Sequence, residues 1–474
     1  GKQSLDFQGA VDLRSTFGIA GTLLLDPTDI KIIFGTDPAV GGTFLEGVFK
    51  PSANTSTISN GTLENQLTLG SVTISTQSDF EGGNNITVNA PISWKNNNSL
   101  TLNSNNNITI DDNITTTQGG SIILKAGFDI TINKNITTQG GNITLNADSD
   151  NFKGGGISIV NSTIETNGGN FVGTARGTSE FGGAINIQGS TINAGSGKID
   201  LNSIGGNSTN ISIFDATLKT TESGNITLNG TDGSSVNNSG IVLRGSTIIS
   251  ENGKIDFTGS GNGTGEAIYL FSKAVVKSTG TGSITMTGTG GNKTLGSNEG
   301  IIITGGSKVS STDGAVSLTG IGNGTENGSN GIDINDNSTV ESIGTGSIIL
   351  NGTGGNGTFN NKGISISKST VQSAGGNVSL TGKGAGSLIN NIGVAIDNSQ
   401  VQSKSGNGTV TITGTGGNGT DRNEGISIIN NSIVKSQNGD ITLTGIGKGS
   451  AGNNRGIFMQ GVVESTGTGN VTLN

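Results

Sequence analysis

Residues 107–147 read NITIDDNITTTQGGSIILKAGFDITINKNITTQGGNITLNA, and this stretch decides the fold. It contains the triplet Ile108-Thr109-Ile110 and, 22 residues later, the triplet Ile130-Thr131-Ile132. Two further short triplets, Ile114-Thr115-Thr116 and Ile122-Ile123-Leu124, lie within that interval. Alternation of apolar and polar residues with a period of two indicates short strands. Each repeat therefore holds three strands and three corners.

The same order of strands recurs to the end of the chain. The first strand of each repeat begins with an apolar residue that we expect to face inward, and these residues form the predicted core stack: Ile86, Ile108, Ile130, Ile157, Ile185, Ile211, Ile241, Ile268, Ile301, Ile332, Ile364, Val394, Ile426 and Ile457. Strands this short are unstable alone, so equivalent strands of successive repeats should pair in parallel. The sequence predicts an all-β, right-handed parallel β-helix (a solenoid) with three short strands per coil and about 14 coils.

The expected organisation has two parts. Residues 1–85 do not show the repeat clearly and are predicted to be an irregular β lead-in that caps the first coil. Within it we expect strands at Leu23–Leu25 and Ile30–Ile33, and incomplete coils at Leu67–Leu69 and Val72–Ile74. Residues 86–474 are predicted to be the β-helix, with 22-residue coils to about residue 151 and then coils of 26–33 residues that carry a Gly-rich loop at one corner.

Glycine and asparagine dominate the corners. Glycine makes up 85 of the 474 residues, whereas a usual share is ~7%. It closes the enlarged corner just before the first strand, as at Gly363, Gly393 and Gly425, where it supplies either a positive φ or a close backbone approach. Asparagine tolerates the left-handed backbone of corners, and stacked Asn side chains can form hydrogen-bond ladders. The Gly-rich loops should stack on one face, where they either bind a ligand or merely cover that edge.

Composition excludes several classes of chemistry. The chain has no Cys and no His, which removes disulfides, Cys or His zinc sites and the Ser-His-Asp triad. We predict no cofactor and no metal site. The net charge of −9 arises from 25 basic and 34 acidic residues without a Lys/Arg cluster, so nucleic acid is not an expected partner. No apolar run approaches the ~18 residues of a membrane-spanning helix.

The motifs that often carry chemistry lack the context they need. Gly352–Gly357 and Gly414–Gly419 match GxGxxG, but no helical pattern follows them, so we interpret them as corner glycines. The acidic pairs Asp111–Asp112 and Asp148/Asp150 lie in corners without a repeated basic residue beside them. We therefore predict no catalytic residues and no enzyme activity. Asn-x-Ser/Thr sequons are frequent, and their glycosylation stays undecided.

Four stretches carry a resemblance to a known family: GTLLLDPTDI at 21–30, NITVNAPISW at 85–94, SLTLN at 99–103 and NITI at 107–110. They resemble filamentous haemagglutinin-type exoproteins, the two-partner secretion adhesins of Gram-negative bacteria, and a cyanobacterial source fits the pattern. The similarity spans nearly the whole chain. The secretion domain of the family is not evident, so we expect a segment that starts downstream of it.

The resemblance implies the structural shaft and binding region of a large adhesin that is secreted or attached to the outer cell surface. Its implied partners are an outer-membrane transporter, for the full-length protein, and the surface or glycans of a host or neighbouring cell. One alternative is a self-associating component of an extracellular matrix, sheath or filament. A less favoured alternative is a polysaccharide-active enzyme, which a groove lined by carboxylates on adjacent coils would support.

Overall fold

The computed structural model describes residues 29–51, 55–76, 84–150, 154–177, 184–205, 209–231, 237–263, 265–292, 298–325 and 327–474. These residues form two compact units, which we treat separately. The first contains the described residues up to Ser203 together with Ala216–Thr220, and the second contains Ile204–Asp215 and Thr221–Asn474. In both units each turn of the chain supplies one strand to each of three parallel sheets, called first, second and third in chain order. We number the turns 1–14 along the predicted core stack.

The strands of the first unit stack turn upon turn. Its first sheet contains, in spatial order, Thr55–Ser59, Asp29–Ile33, Ile86–Val88, Ile108–Ile110, Ile130–Ile132, Ile157–Val160 and Ile185–Gln188. Its second sheet contains Ile92–Trp94, Ile114–Thr116, Ile136–Thr137, Thr163–Glu165, Thr191–Gly195 and Thr217–Thr220. Its third sheet contains Val48–Pro51, Val72–Ser75, Leu100–Ser104, Ile122–Ala126, Ile143–Ala147, Phe171–Ala175 and Ile199–Ile204, with Gly42–Leu45 antiparallel to Val48–Pro51.

One helix, Asn60–Leu69, interrupts the strands of the first unit, and it corrects the prediction of an incomplete coil at Leu67–Leu69. The triplet Leu-Thr-Leu fits a period of two, but the four-residue spacing of Leu63 and Leu67 places both on one helical face, where they are fully buried. Ser59 caps the helix by accepting a hydrogen bond from the Thr62 amide. The predicted strand at Leu23–Leu25 lies outside the described residues, whereas Ile30–Ile33 and Val72–Ile74 lie in strands.

The helix lies against the edge of the second sheet. Its Glu64 carboxylate accepts a hydrogen bond from the Ser93 amide at 2.7 Å, and the Leu67 carbonyl accepts bonds from the side chains of Asn96 and Asn98. The helix thus supplies hydrogen-bond acceptors to donors in the strand Ile92–Trp94 and in the residues just after it. A parallel sheet needs such cover because its edge otherwise presents unpaired backbone groups.

The second unit repeats the same arrangement over turns with longer corners. Its first sheet contains Ile211–Phe214, Ile241–Arg244, Ile268–Phe271, Ile301–Ile303, Ile332–Ile334, Ile364–Ser367, Val394–Asp397, Ile426–Ile429 and Ile457–Met459. Its second sheet contains Thr247–Ser250, Val275–Ser278, Lys308–Ser311, Thr339–Ser342, Thr370–Ser373, Gln400–Ser403, Ile433–Ser436 and Val462–Ser465. Its third sheet contains Ile226–Thr231, Ile255–Ser260, Ile284–Thr289, Val316–Ile321, Ile348–Thr353, Val378–Lys383, Val410–Thr415, Ile441–Ile446 and Val471–Leu473, and a separate antiparallel pair joins Asn237–Asn238 to Asn262–Gly263.

The predicted fold class, a parallel β-helix of three strands per coil and about 14 coils, is confirmed. Five of the predicted first strands lie in the first unit and nine in the second. Pairing is in register, so that Ile332 lies opposite Ile364 and Ile364 lies opposite Val394. Every residue of the core stack is at most 1% exposed except Ile457 in turn 14, which is half-buried.

The glycines that close the enlarged corner serve close backbone approach. Gly363, Gly393 and Gly425 do not have positive φ. A Cβ atom added to Gly393 would lie 2.4 Å from the Thr415 amide nitrogen and 2.5 Å from the Gly425 oxygen. Positive φ is instead common at asparagine, which supplies ten of the nineteen described non-glycine residues in that region of backbone space. This confirms asparagine as a corner residue.

Buried polar side chains form ladders along the second unit, as predicted for asparagine. The Asn361 amide donates to Asn391 Oδ1 at 3.1 Å, the Asn391 amide to Asn423 Oδ1 at 3.1 Å, and the Asn423 amide to Asn454 Oδ1 at 3.0 Å. A second ladder runs through the Oγ atoms of Ser369, Ser399 and Ser432, each of which accepts from the backbone amide one turn earlier. Both ladders satisfy backbone donors at corners, where strand pairing cannot do so.

Candidate functional site

The acidic pairs noted in the sequence have local structural partners. Asp111 Oδ1 accepts a hydrogen bond from Asn133 Nδ2 at 2.8 Å, and Asp112 Oδ1 accepts one from the backbone amide of Asn113 at 2.7 Å. Asp148 is buried and accepts a bond from the Gly154 amide at 3.0 Å. The first pair follows a first-sheet strand and Asp148 follows a third-sheet strand, so the structure does not bring the pairs together at one corner.

The two GxGxxG segments are structural. Gly352 and Gly414 lie inside the third-sheet strands Ile348–Thr353 and Val410–Thr415, and the next element after each segment is a strand. A Cβ atom on Gly352 would lie 2.1 Å from the Gly363 oxygen. The glycines are therefore required by the close approach of two chain segments.

An aromatic group lies on the outward face of the first sheet in turns 6–8. Phe214, Arg244 and Phe271 occupy equivalent positions of three neighbouring strands. The Arg244 guanidinium lies 4.7 Å from the centroid of the Phe214 ring. Tyr269 stacks on Phe271 with their ring centroids 4.6 Å apart and their planes at 16°. We call these four half-buried side chains the aromatic platform.

Glu266 and Glu299 interact electrostatically with Tyr269, and Asp333 interacts with Glu299; we call these three residues the carboxylate row. Glu299 is 6% exposed, and its Oε1 accepts a hydrogen bond from Asn330 Nδ2 at 3.1 Å. Burial, followed by the negative charges of Asp333 and Glu266, raises the pKa of Glu299 well above its ordinary value, although Asn330 and Lys362 oppose the shift. Burial also raises the pKa of Asp333.

Tyr269 connects the two groups. Burial is the main cause of its raised pKa, and the charges of Glu266 and Glu299 add to it. The stacked, half-buried rings and the neighbouring carboxyl groups, with the pKa of Glu299 raised by burial, offer stacking and hydrogen-bonding groups within one area. No group of three or more Asp or Glu residues in the described ranges is arranged to hold a metal ion.

The pH dependence of stability tests the state of Glu299. A carboxyl group whose pKa is raised by folding stabilises the fold fully below its unfolded pKa of ~4.3, and this contribution is lost as pH rises through the folded pKa. We expect Glu299→Gln, which keeps the acceptor for Asn330, to raise the free energy of unfolding by at least about 1 kcal/mol at pH 7 and to leave it unchanged at pH 4. Urea unfolding at both pH values measures this.

The matched control is Glu222→Gln, which alters an exposed glutamate of the same unit. It should change the free energy of unfolding by less than about 0.5 kcal/mol at either pH. Equal effects of the two substitutions at pH 7 would contradict a raised pKa of Glu299.

The sequence contained a signal for the platform that the repeat analysis did not use. Alternation places Ile268 and Leu270 inward, where both are fully buried, and therefore places Tyr269 and Phe271 outward. Two aromatic residues at outward positions of one strand mark a surface feature rather than the core. Glu266 and Glu299 lie two residues before the paired core isoleucines Ile268 and Ile301, so the repeat register places them on neighbouring turns, but the repeat analysis did not single them out as a site.

No protein-family model matches this sequence, and no curated protein is significantly similar to it. Among the described residues, no helix has both the length and the apolar character required to cross a membrane.

Proposed function

We propose that this chain is the shaft and glycan-binding region of a large adhesin that acts outside the cell or on its outer surface, and that it has no catalytic role. The single observation that carries the proposal is the outward stack of Tyr269 on Phe271 beside the carboxylate row. Aromatic faces accept the apolar faces of sugar rings, and carboxylates accept hydrogen bonds from sugar hydroxyls. Its proposed partner is the surface or the glycans of a host or neighbouring cell.

The architecture supports a shaft. In the second unit, in-register strands link each turn to the next, and the two polar ladders add contacts across turns 10–13, without any disulfide. In such a solenoid each turn contacts only its neighbours, so length is gained by adding turns while the local packing stays the same. Residues that project outward are then free to bind without disturbing the core.

Binding to a glycan array, followed by calorimetry with the best glycan, tests this function. Phe271→Ala should weaken binding about tenfold, because it removes one ring of the stacked pair. Phe458→Ala is the matched control, since Phe458 also faces outward under an arginine, Arg455 at 4.6 Å, but lies in turn 14 away from the carboxylate row. Failure to bind any glycan, or equal binding by both variants, would refute the proposal.

A polysaccharide-active enzyme is the second candidate, and the carboxylate row favours it. Paired carboxyl groups whose environments separate their pKa values can act as acid and base on a glycosidic bond. Release of reducing ends from the bound polysaccharide, abolished by Glu299→Gln while binding persists, would establish this candidate in place of the first. A bound polysaccharide that stays intact would exclude it for that substrate.

A further inference from the structure

A pocket of about 290 Å³ lies among the Gly-rich loops of turns 10–13 in the second unit. Its polar lining comes from Asn356, Lys383, Ser387, Asn418 and Lys448. Ala385 and the glycines Gly384, Gly386, Gly416 and Gly417 complete the lining. Four successive turns thus contribute to one concave site.

The two lysines give this pocket a positive charge on a protein whose net charge is −9. Lys383 ends the third-sheet strand Val378–Lys383, and Lys448 follows the equivalent strand two turns later. Both are exposed, and neither forms an ion pair within the described part of the chain. Two unpaired ammonium groups at one pocket favour an anionic ligand.

Backbone donors add to this preference. The amide groups of Gly386 and Asn418, which line the pocket, donate no hydrogen bond to any other described residue. Gly386 has φ +126°, a conformation that favours glycine, and a Cβ there would lie 2.5 Å from Asn391 Oδ1. Free amides in glycine-rich loops are well suited to bind anions.

We propose that this pocket binds a monosaccharide-sized acid of the hexuronate class. The ammonium groups of Lys383 and Lys448 bind the carboxylate, and the side chains of Asn356, Ser387 and Asn418 bind the hydroxyl groups. The pocket volume lies close to the lower end of the range for small-ligand sites, which fits one sugar ring. This site is separate from the aromatic platform and does not depend on it.

Calorimetric titration of the whole chain with sodium glucuronate tests the proposal, with glucose and sodium phosphate as comparison ligands. We expect glucuronate to bind, glucose to bind at least about fivefold more weakly, and the glucuronate affinity to fall as salt is added. The double variant Lys383→Gln/Lys448→Gln should lose about fivefold to tenfold in affinity. The matched control Lys404→Gln, at an exposed lysine of the same unit, should bind like the original chain.

Lys383→Arg keeps the charge and should retain binding, which separates loss of charge from loss of structure. Phe271→Ala should leave glucuronate binding unchanged, so failure of this site and failure of the aromatic platform are distinguishable. Equal affinity for glucose and glucuronate would overturn the anionic assignment. Phosphate binding as tight as glucuronate binding would overturn the saccharide assignment, and unchanged binding by the double variant would overturn the site.

Discussion

Replacing Gly382 with alanine is expected to destabilise the second unit by about 3 kcal/mol, because the new methyl group has no space. Its Cβ would lie 2.1 Å from the Gly393 oxygen and 2.6 Å from Val394 Cγ2. The obstructing oxygen belongs to the backbone that leads into the next first-sheet strand, Val394–Asp397, so it cannot move without disturbing that strand's pairing with Ile364–Ser367. Urea-induced unfolding followed by circular dichroism measures the effect.

Gly452→Ala provides the control with the same chemical change. Gly452 is exposed, has no positive φ, and a Cβ there would meet nothing within 4 Å. Its replacement should change the free energy of unfolding by less than about 0.5 kcal/mol. If Gly382→Ala were equally mild, the close approach of the two chain segments would be wrong.

Asn391→Ala is expected to cost about 2–4 kcal/mol, because it leaves buried polar groups of the asparagine ladder unsatisfied. Asn391 is fully buried; its Oδ1 accepts from the Asn361 amide at 3.1 Å, and its Nδ2 donates to the Thr358 oxygen at 3.2 Å. Alanine supplies neither group. The loss should concentrate in turns 10–12, since each turn depends mainly on its neighbours.

Hydrogen exchange locates this loss. The amide of Asn361 should exchange faster in Asn391→Ala, together with the amides around it, while amides in turns 6 and 7 keep their protection. Asn407→Ala, at an exposed asparagine of the same unit, should alter neither stability nor exchange by a measurable amount. A uniform loss of protection across the unit would argue against a ladder that acts locally.

The sequence alone was sufficient to predict the strands and their stacking, because an apolar residue at the start of each first strand recurs in every repeat. Ile301 and Ile332, for example, are separated by 31 residues in the chain and lie opposite each other in the sheet. Spacing also identified the enlarged corner. The helix Asn60–Leu69 escaped prediction because Leu67-Thr68-Leu69 fits the strand period, whereas the helical signal is the four-residue spacing of Leu63 and Leu67, both of which are buried.

The candidate site was less accessible to prediction. Glu299 lies two residues before a core isoleucine, and nothing in that local sequence indicates that Asp333, one repeat later, raises its pKa. The same holds for Lys383 and Lys448, which are separated by 65 residues and share a pocket only because the loops of successive turns stack. Such neighbours depend on loop conformation, which varies between repeats while the strand pattern does not.

The near identity of the turns has a consequence for how the chain reaches its native state. The first strand of one turn can pair almost equally well with the first strand of a turn that is not its neighbour in the native fold. A misfolded form that skips one turn is therefore only slightly higher in free energy than the native state. Within the described ranges, the helix Asn60–Leu69 has no counterpart in the later turns, and its contacts with Ser93, Asn96 and Asn98 define one unique neighbour. If the first unit assembles from this helix onward and adds its turns in order, each new turn has only one correct sheet edge on which to dock.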